Sequence, residues 1–333
     1  MTYLIIAAFL VVLELSYFRV AERFNIIDKP NQRSSHTSIT MRGGGVVFYF
    51  GALIFFIASK WMYPWFFIGL TLLAVVCFVD DIRSLPGSVR LVTQFAAMAL
   101  LFFQLGVLHW QMWWVLLIGL VVCVGATNVI NFMDGINGIT AGYSLVVMVS
   151  LAIVNSRLGF IEDSYLWIAM MALLVFAFFN FRPKGKARCF AGDVGSVSIA
   201  FIMLFAILKL VLATHDATWL IFLLVYGVDG CLTICHRILL HENLGEAHRK
   251  HAFQLMANEL KMPHPLVSSI YMVLQFSISL SFIYLCPNTT SAHWLFLLGV
   301  ALVLGLAYVL FMKKYYPLHE AYLKSLKKET DGK

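Results

Sequence analysis

Apolar runs of membrane-crossing length recur from one end of this chain to the other, and no polar linker separates them. Eleven can be marked, roughly at 2–19, 44–60, 65–79, 91–106, 112–130, 139–156, 164–181, 195–213, 218–234, 265–286 and 293–312. A helix crossing the hydrocarbon of a bilayer takes about 20 mostly apolar residues. Lipid offers the backbone no hydrogen-bond partners, so a crossing segment must satisfy its own, as a helix does. The sequence therefore predicts an all-α, polytopic integral membrane protein with about eleven transmembrane helices in one domain, residues 1–333. Composition agrees, since 12% of residues are charged against about 25% in soluble domains. The first run lacks the basic start and small-residue cleavage site of a signal peptide, and it is read as a helix.

Alternation across the membrane sorts the connections into two sets. One set comprises 19–43, 80–90, 131–138, 182–194, 235–264 and 313–333, and it holds 21 of the 24 Lys and Arg residues. The exceptions are Lys60, Arg157 and Lys209. Cytoplasmic loops collect Lys and Arg, so this set is predicted to be cytoplasmic, with the N-terminus outside and the C-terminus inside. The same bias accounts for the net charge of +7 without a nucleic-acid partner. The six cysteines show no metal-type spacing, and Cys231 and Cys235, one turn apart in an apolar run, read as packing.

The acids and amides carry the chemistry. A charge near hydrocarbon is costly, so acids at membrane edges are functional candidates. Asp80 and Asp81 end an apolar run, and neighbouring carboxylates repel unless a cation or shared proton relieves them. Asn128, Asn131, Asp134 and Asn137 interrupt another apolar stretch. Their side chains suit a nucleobase edge, ribose hydroxyls or a hard metal, and the competing reading is a helix-breaking turn. Asp193 lies in Gly192-Asp193-Val194-Gly195-Ser196 at the start of a predicted helix. It is either an N-cap or a ligand for Mg²⁺ against phosphates. The longest predicted cytoplasmic loop holds His248, Arg249, Lys250 and His251, a basic cluster suited to a diphosphate. The first loop holds Asp28, Lys29, Arg33, His36 and Arg42, followed by Gly43-Gly44-Gly45. Glu14 and Asp229 lie within apolar runs, and each reads more readily as paired than as catalytic.

Taken in order, these clusters resemble the polyprenyl-phosphate N-acetylhexosamine-1-phosphate transferases, the superfamily that includes phospho-MurNAc-pentapeptide translocase. The matching features are Asp80-Asp81, Asn128-x-x-Asn131-Phe132-x-Asp134-Gly135-x-Asn137-Gly138, Gly192-Asp193-x-Gly195-Ser196 and the His/Arg loop at 248–251. The stretch from Ala247 to Gln254 looks more like the branch that initiates O-antigen and capsule chains than the peptidoglycan branch. The chain departs from the pattern at Arg83 and Ser84, where a further Asp or a Lys is common, and at Asn137, where many members carry Asp.

The resemblance implies transfer of a sugar-1-phosphate from a UDP-N-acetylhexosamine, UDP-GlcNAc by default, to undecaprenyl or another polyprenyl phosphate, with release of UMP. It implies Mg²⁺ or Mn²⁺ as cofactor, held by Asp193, Asn131 and Asp81, with Asp80 acting on the lipid phosphate. It assigns Asn128, Asn131, Asp134 and Asn137 to the nucleotide, and Arg42, His248, Arg249 and His251 to the diphosphate or sugar. It also implies a bacterial inner membrane location, a cytoplasmic-facing site, membrane lipids as surroundings and compatibility with a homodimer. The competing classes are the translocase with the same chemistry, a secondary transporter, and a membrane scaffold. A transporter would place its site at the midplane between repeats, and no repeat is visible.

Overall fold

The computed structural model describes residues 2–28, 39–109, 111, 113–245 and 248–331. Lys29, Arg33 and His36 of the first loop lie outside the described residues. The elements are α1 (Thr2–Arg23), a two-residue hairpin of β1 (Ile27–Asp28) and β2 (Thr40–Met41), α2 (Val46–Ala58), α3 (Pro64–Ile82), α4 (Gly87–Gln104), α5 (Trp113–Met133), α6 (Ile139–Leu158), α7 (Asp163–Asn180) and α8 (Gly192–Thr214). A 3₁₀ segment, Ala217–Leu223, leads directly into α9 (Leu224–Leu239), followed by the short α10 (Ala252–Asn258), α11 (His264–Leu285) and α12 (Thr290–Asp331).

Ten of these helices are long and apolar enough to cross a membrane. The predicted span at 44–60 is the exception. It forms α2, only 13 residues long, or about 20 Å. Its buried face, including Phe48, Gly51, Ala52 and Phe55, packs among neighbouring helices. At Gly51 a side chain would meet the Cβ of Ala172 at 3.1 Å. The other face is half-buried to exposed, ending at Ile57, so α2 is a short apolar helix with one side against the bundle.

α8 sits at the centre. It is apolar on every face, as a helix buried on all sides must be, and residues from Val194 through Ile207 are buried without interruption. Phe66 and Tyr165 interlock with its Phe201 and Phe205, with the Phe66 and Phe205 rings 4.5 Å apart. The 3₁₀ segment before α9 leaves backbone groups that lipid could not satisfy. Gln275 of α11 fills the gap. Its amide donates to Ile221 O at 3.0 Å, and its carbonyl accepts from Val225 N at 3.1 Å and from Tyr143 OH at 2.7 Å.

The helices alternate between two faces. On one, the end of α3, the starts of α4 and α8 and the loop after β2 meet. On the other, Tyr63 donates to Glu162, and Lys209 Nζ donates to Tyr63 OH at 2.7 Å. Two of the cations outside the main set are held on this far face: Lys209 over the Tyr63 ring at 4.6 Å and Arg157 over the Tyr284 ring at 4.6 Å.

Candidate active site

The acidic residues converge where α3 ends and α8 begins. Asp81 is the last-turn carboxylate of α3, and its two oxygens accept the backbone N–H groups of Asp193 at 2.9 Å and Val194 at 3.0 Å. Helix N-termini leave such donors unpaired and carry positive dipole ends. Asp81 therefore caps α8 from another helix, and the sequence's alternative, that Asp193 is the cap, is not what the chain adopts. Arg42 Nε completes the set at 2.7 Å from Asp81 Oδ1. The Asp193 side chain instead faces two cations, with Arg90 at 3.0 Å and Arg42 at 3.6 Å. Arg90 also reaches Asp80 at 3.3 Å, and Leu85 N donates to Asp80 at 2.5 Å. Three carboxylates are thus balanced by two arginines.

This convergence depends on glycines. Gly192 has φ +70°, and a Cβ there would lie 2.5 Å from Asp81 Oδ2. A Cβ on Gly45 would lie 2.3 Å from Gly195 Cα. The triple glycine lets the first loop lie against the start of α8. Backbone bonds zip the two segments together, with Phe190 N donating to Met41 O at 2.8 Å and Gly44 N to Phe190 O at 2.9 Å.

A cavity of about 250 Å³ opens beside this centre. Asp28, Arg42, Asn131, Asp134, Asn137 and Asp193 line it, and so do Asn180, Gln254 and His264. Asn131 Oδ1 accepts from Ser196 Oγ at 2.6 Å, which ties it to the first turn of α8. Asp134 accepts from Thr140 Oγ1 at 2.6 Å. Burial pushes its carboxyl up to about 6, and the Thr140 hydrogen bond opposes that shift. Asn137 is buried, and its amide donates to Arg182 O at 2.9 Å and Pro183 O at 3.0 Å. Its NH₂ thus clamps the 182–183 loop. Asn128 is not among the lining residues: it pairs with Gln94 of α4 at 2.7 Å and with Val124 O at 2.8 Å, joining α4 to α5.

The His/Arg loop divides in two. His251 precedes α10, and its Nδ1 lies 3.2 Å from Asp229 Oδ1. Asp229 also accepts from Tyr271 OH at 2.6 Å, Ala252 N at 3.2 Å and Thr233 Oγ1 at 3.1 Å, so it anchors the start of α10. The His248 and His251 rings lie 5.0 Å apart. Burial, then the neighbouring His251, pushes His248 down to about 3, so it is neutral at pH 7. Arg249 points elsewhere. It pairs with Glu259 at 2.7 Å and stacks on Tyr322 of α12 at 4.3 Å. Neither His248, Arg249 nor His251 is among the cavity-lining residues.

Comparison with known proteins finds relatives for this chain. Residues 63–211 match the model of glycosyl transferase family 4. A Bacillus subtilis (strain 168) protein named probable undecaprenyl-phosphate N-acetylglucosaminyl 1-phosphate transferase is 26% identical over 292 residues, covering 81% of this chain and 80% of that protein. Proteins of Yersinia pestis and Escherichia coli (strain K12) named undecaprenyl-phosphate alpha-N-acetylglucosaminyl 1-phosphate transferase are 27% identical over 210 and 212 residues. The chain spans 57% of the length of each of these two relatives, and the match covers 57% of the chain. These likenesses support a relationship to the polyprenyl-phosphate hexosamine-1-phosphate transferase superfamily.

Sequence reasoning singles out the acids that converge here and misses most of the groups that hold them. Arg90 balances two carboxylates, whereas from the sequence it counts only as part of the positive connection 80–90. A charge one turn inside an apolar helix is as costly as the acids that were singled out, and that signal was present. Asn180 is the last residue of α7, as Asn131 lies in the last turn of α5, and it donates to Cys189 O at 2.9 Å and accepts from Gly138 N at 2.7 Å. Gln254 lies in the stretch that carries the resemblance and His264 is one of five histidines in the long loop, but nothing local to either reveals that α10 and α11 meet the cavity.

Proposed function

We propose that this protein transfers N-acetylhexosamine-1-phosphate from a UDP-sugar, UDP-GlcNAc by default, to undecaprenyl or another polyprenyl phosphate. The observation that carries the reading is Asp193, held between Arg42 and Arg90 at the wall of a polar cavity, at one end of a bundle of apolar helices. A water-soluble, doubly charged donor and a lipid phosphate can meet only at such an edge. The names of the B. subtilis, Y. pestis and E. coli relatives support the same chemistry. A transporter site would lie at the midplane between repeats, whereas the cavity is lined from helix ends and loops.

In the reaction, an oxygen of the lipid phosphate attacks the phosphorus bearing the sugar. The bond from that phosphorus to the bridging oxygen breaks, and UMP leaves with the electron pair. One diphosphate linkage is exchanged for another, so the step is readily reversible. Phosphate monoesters have a second pKa near 6, so the nucleophile is mostly dianionic at pH 7 and needs no base. Asp80, bonded to Leu85 N and Arg90, then acts by fixing Arg90 rather than by taking a proton. Asp134, Asn131 and the cavity wall would orient the nucleotide.

Mg²⁺ or Mn²⁺ belongs to this reading. Mg²⁺ commonly takes one or two carboxylates together with substrate phosphates and waters. Asp193 and Asn131, both hard oxygen donors on the cavity wall, fit that role. Asp81 does not, because its oxygens are engaged by α8 and Arg42. Among the described residues no three His, Cys, Asp or Glu side chains are arranged to hold a metal by themselves. When bound, the ion would neutralise charge on the donor's phosphates. The Lys/Arg partition favours an inner membrane orientation with the site toward the cytoplasm.

The test is UMP release by the purified protein in detergent, with UDP-GlcNAc and undecaprenyl phosphate. The expected result is release that needs both substrates and stops with a chelator. Solute movement without consumption of UDP-GlcNAc would replace the reading with a transporter.

A further inference from the structure

α12 is 42 residues long, about twice what a bilayer requires. Its second half runs past the helix bundle on the face that carries the cavity and packs against α10. Leu255 of α10 is buried against Tyr308, Met312 and Tyr316 of α12 in a cluster separate from the main core. At the end of α10, Glu259 Oε1 receives two groups at once. Arg249 donates from 2.7 Å, and His319 Nδ1 of α12 lies 2.8 Å away. All three side chains are largely buried, at 12%, 5% and 2% exposed for Arg249, Glu259 and His319. The ring of Tyr322 closes over the Arg249 guanidinium at 4.3 Å. A buried pair of this kind adds little net stability compared with an apolar contact, but it fixes geometry, because losing one partner strands a charge.

The consequence concerns the segment between the two clamps. Asp229 holds His251 and Ala252 at the start of α10. The Arg249–Glu259–His319 cluster holds the chain just before it and just after it. Between them lies Gln254, which lines the cavity. Its Oε1 also accepts from His251 N at 3.3 Å, so the orientation of the glutamine follows that of α10.

We propose that the extension of α12 is a brace that sets the position of the 248–254 segment, with His319 and Glu259 as positioning residues for donor binding. This inference rests on the proposed function only for its kinetic readout. Arg249 acts through the brace and not as a ligand of the diphosphate.

The experiment uses the full-length protein in detergent, carrying His319→Ala, Tyr322→Leu or the conservative His319→Gln, which keeps an N–H donor. KM for UDP-GlcNAc should rise about tenfold in the first two, with kcat within about twofold, the signature of lost uniform binding. KM for undecaprenyl phosphate should stay unchanged, and His319→Gln should restore most of the loss. Hydrogen exchange of residues 248–254 should quicken in His319→Ala. Unchanged KM and unchanged exchange would overturn the brace. So would equal loss in His319→Gln and His319→Ala with both substrates affected and the melting temperature lowered, which marks a general structural role. If the wild type releases no UMP, the functional reading fails, and exchange in 248–254 alone decides the brace.

Discussion

The Asp81 carboxylate accepts the backbone N–H of Asp193 at 2.9 Å, so one acid of the site builds the helix start that presents the other. The two acids are therefore expected to fail differently. Asp193→Asn should cut turnover by roughly 10²- to 10⁴-fold, as loss of a charge-stabilising ligand does, with an unchanged melting temperature. Asp81→Asn should lower the melting temperature as well, because breaking a buried, bonded charge pair costs about 3–5 kcal/mol. Turnover assays and thermal melts of the two variants in detergent check both expectations. Near-normal turnover in Asp193→Asn would remove it from the chemistry.

Asn137 gives a second expectation. The resemblance assigns it to the nucleotide, but its amide N–H groups bond Arg182 O and Pro183 O. Asn137→Leu would leave two carbonyls unpaired, at about 1–3 kcal/mol for each buried group. Asn137→Asp should be no milder, although many relatives carry Asp, because a carboxylate would face the same two carbonyl oxygens. Both variants should lower the melting temperature and weaken both substrates together. Selective loss of UDP-GlcNAc binding in Asn137→Leu, with stability intact, would restore the nucleotide assignment.

A pH dependence follows from Asp134. Its carboxyl is raised to about 6 by burial, against an unfolded value of about 3.9. A raised carboxylate costs the folded state once it ionises. The penalty is absent below the unfolded value, grows between the two, and is fully present above about 6. Asp134→Asn should therefore raise the melting temperature more at pH 8 than at pH 4. A shift of the same size at both pH values would show that the carboxyl is not raised.

Gly192 supplies the last expectation. With φ +70° and a Cβ position 2.5 Å from Asp81 Oδ2, alanine there must strain the backbone and push Asp81 away. Gly192→Ala should cost about 1–3 kcal/mol and abolish UMP release. Gly87→Ala, where the added Cβ meets nothing within 4 Å, serves as the control. Equal, small effects at both positions would mean that the close approach of α8 to α3 is not needed.

The sequence alone determined the membrane architecture, because twenty apolar residues in a row have few other places to go. Its apolar runs match the helices from α1 to α12 except the cavity-side α10, although the run at 44–60 forms the short α2 and not a full span. It also picked out the acids, since a charge at a membrane edge is rare enough to stand out. Partnership was decided by the tertiary structure. Whether Asp193 caps its own helix or faces the cavity depends on Asp81, 112 positions earlier, reaching the same N–H groups. Whether Arg249 meets a ligand or a glutamate depends on where a 42-residue helix ends up in space. A hydrogen bond is satisfied by whichever group arrives within about 3 Å, and local sequence does not record which distant group that will be.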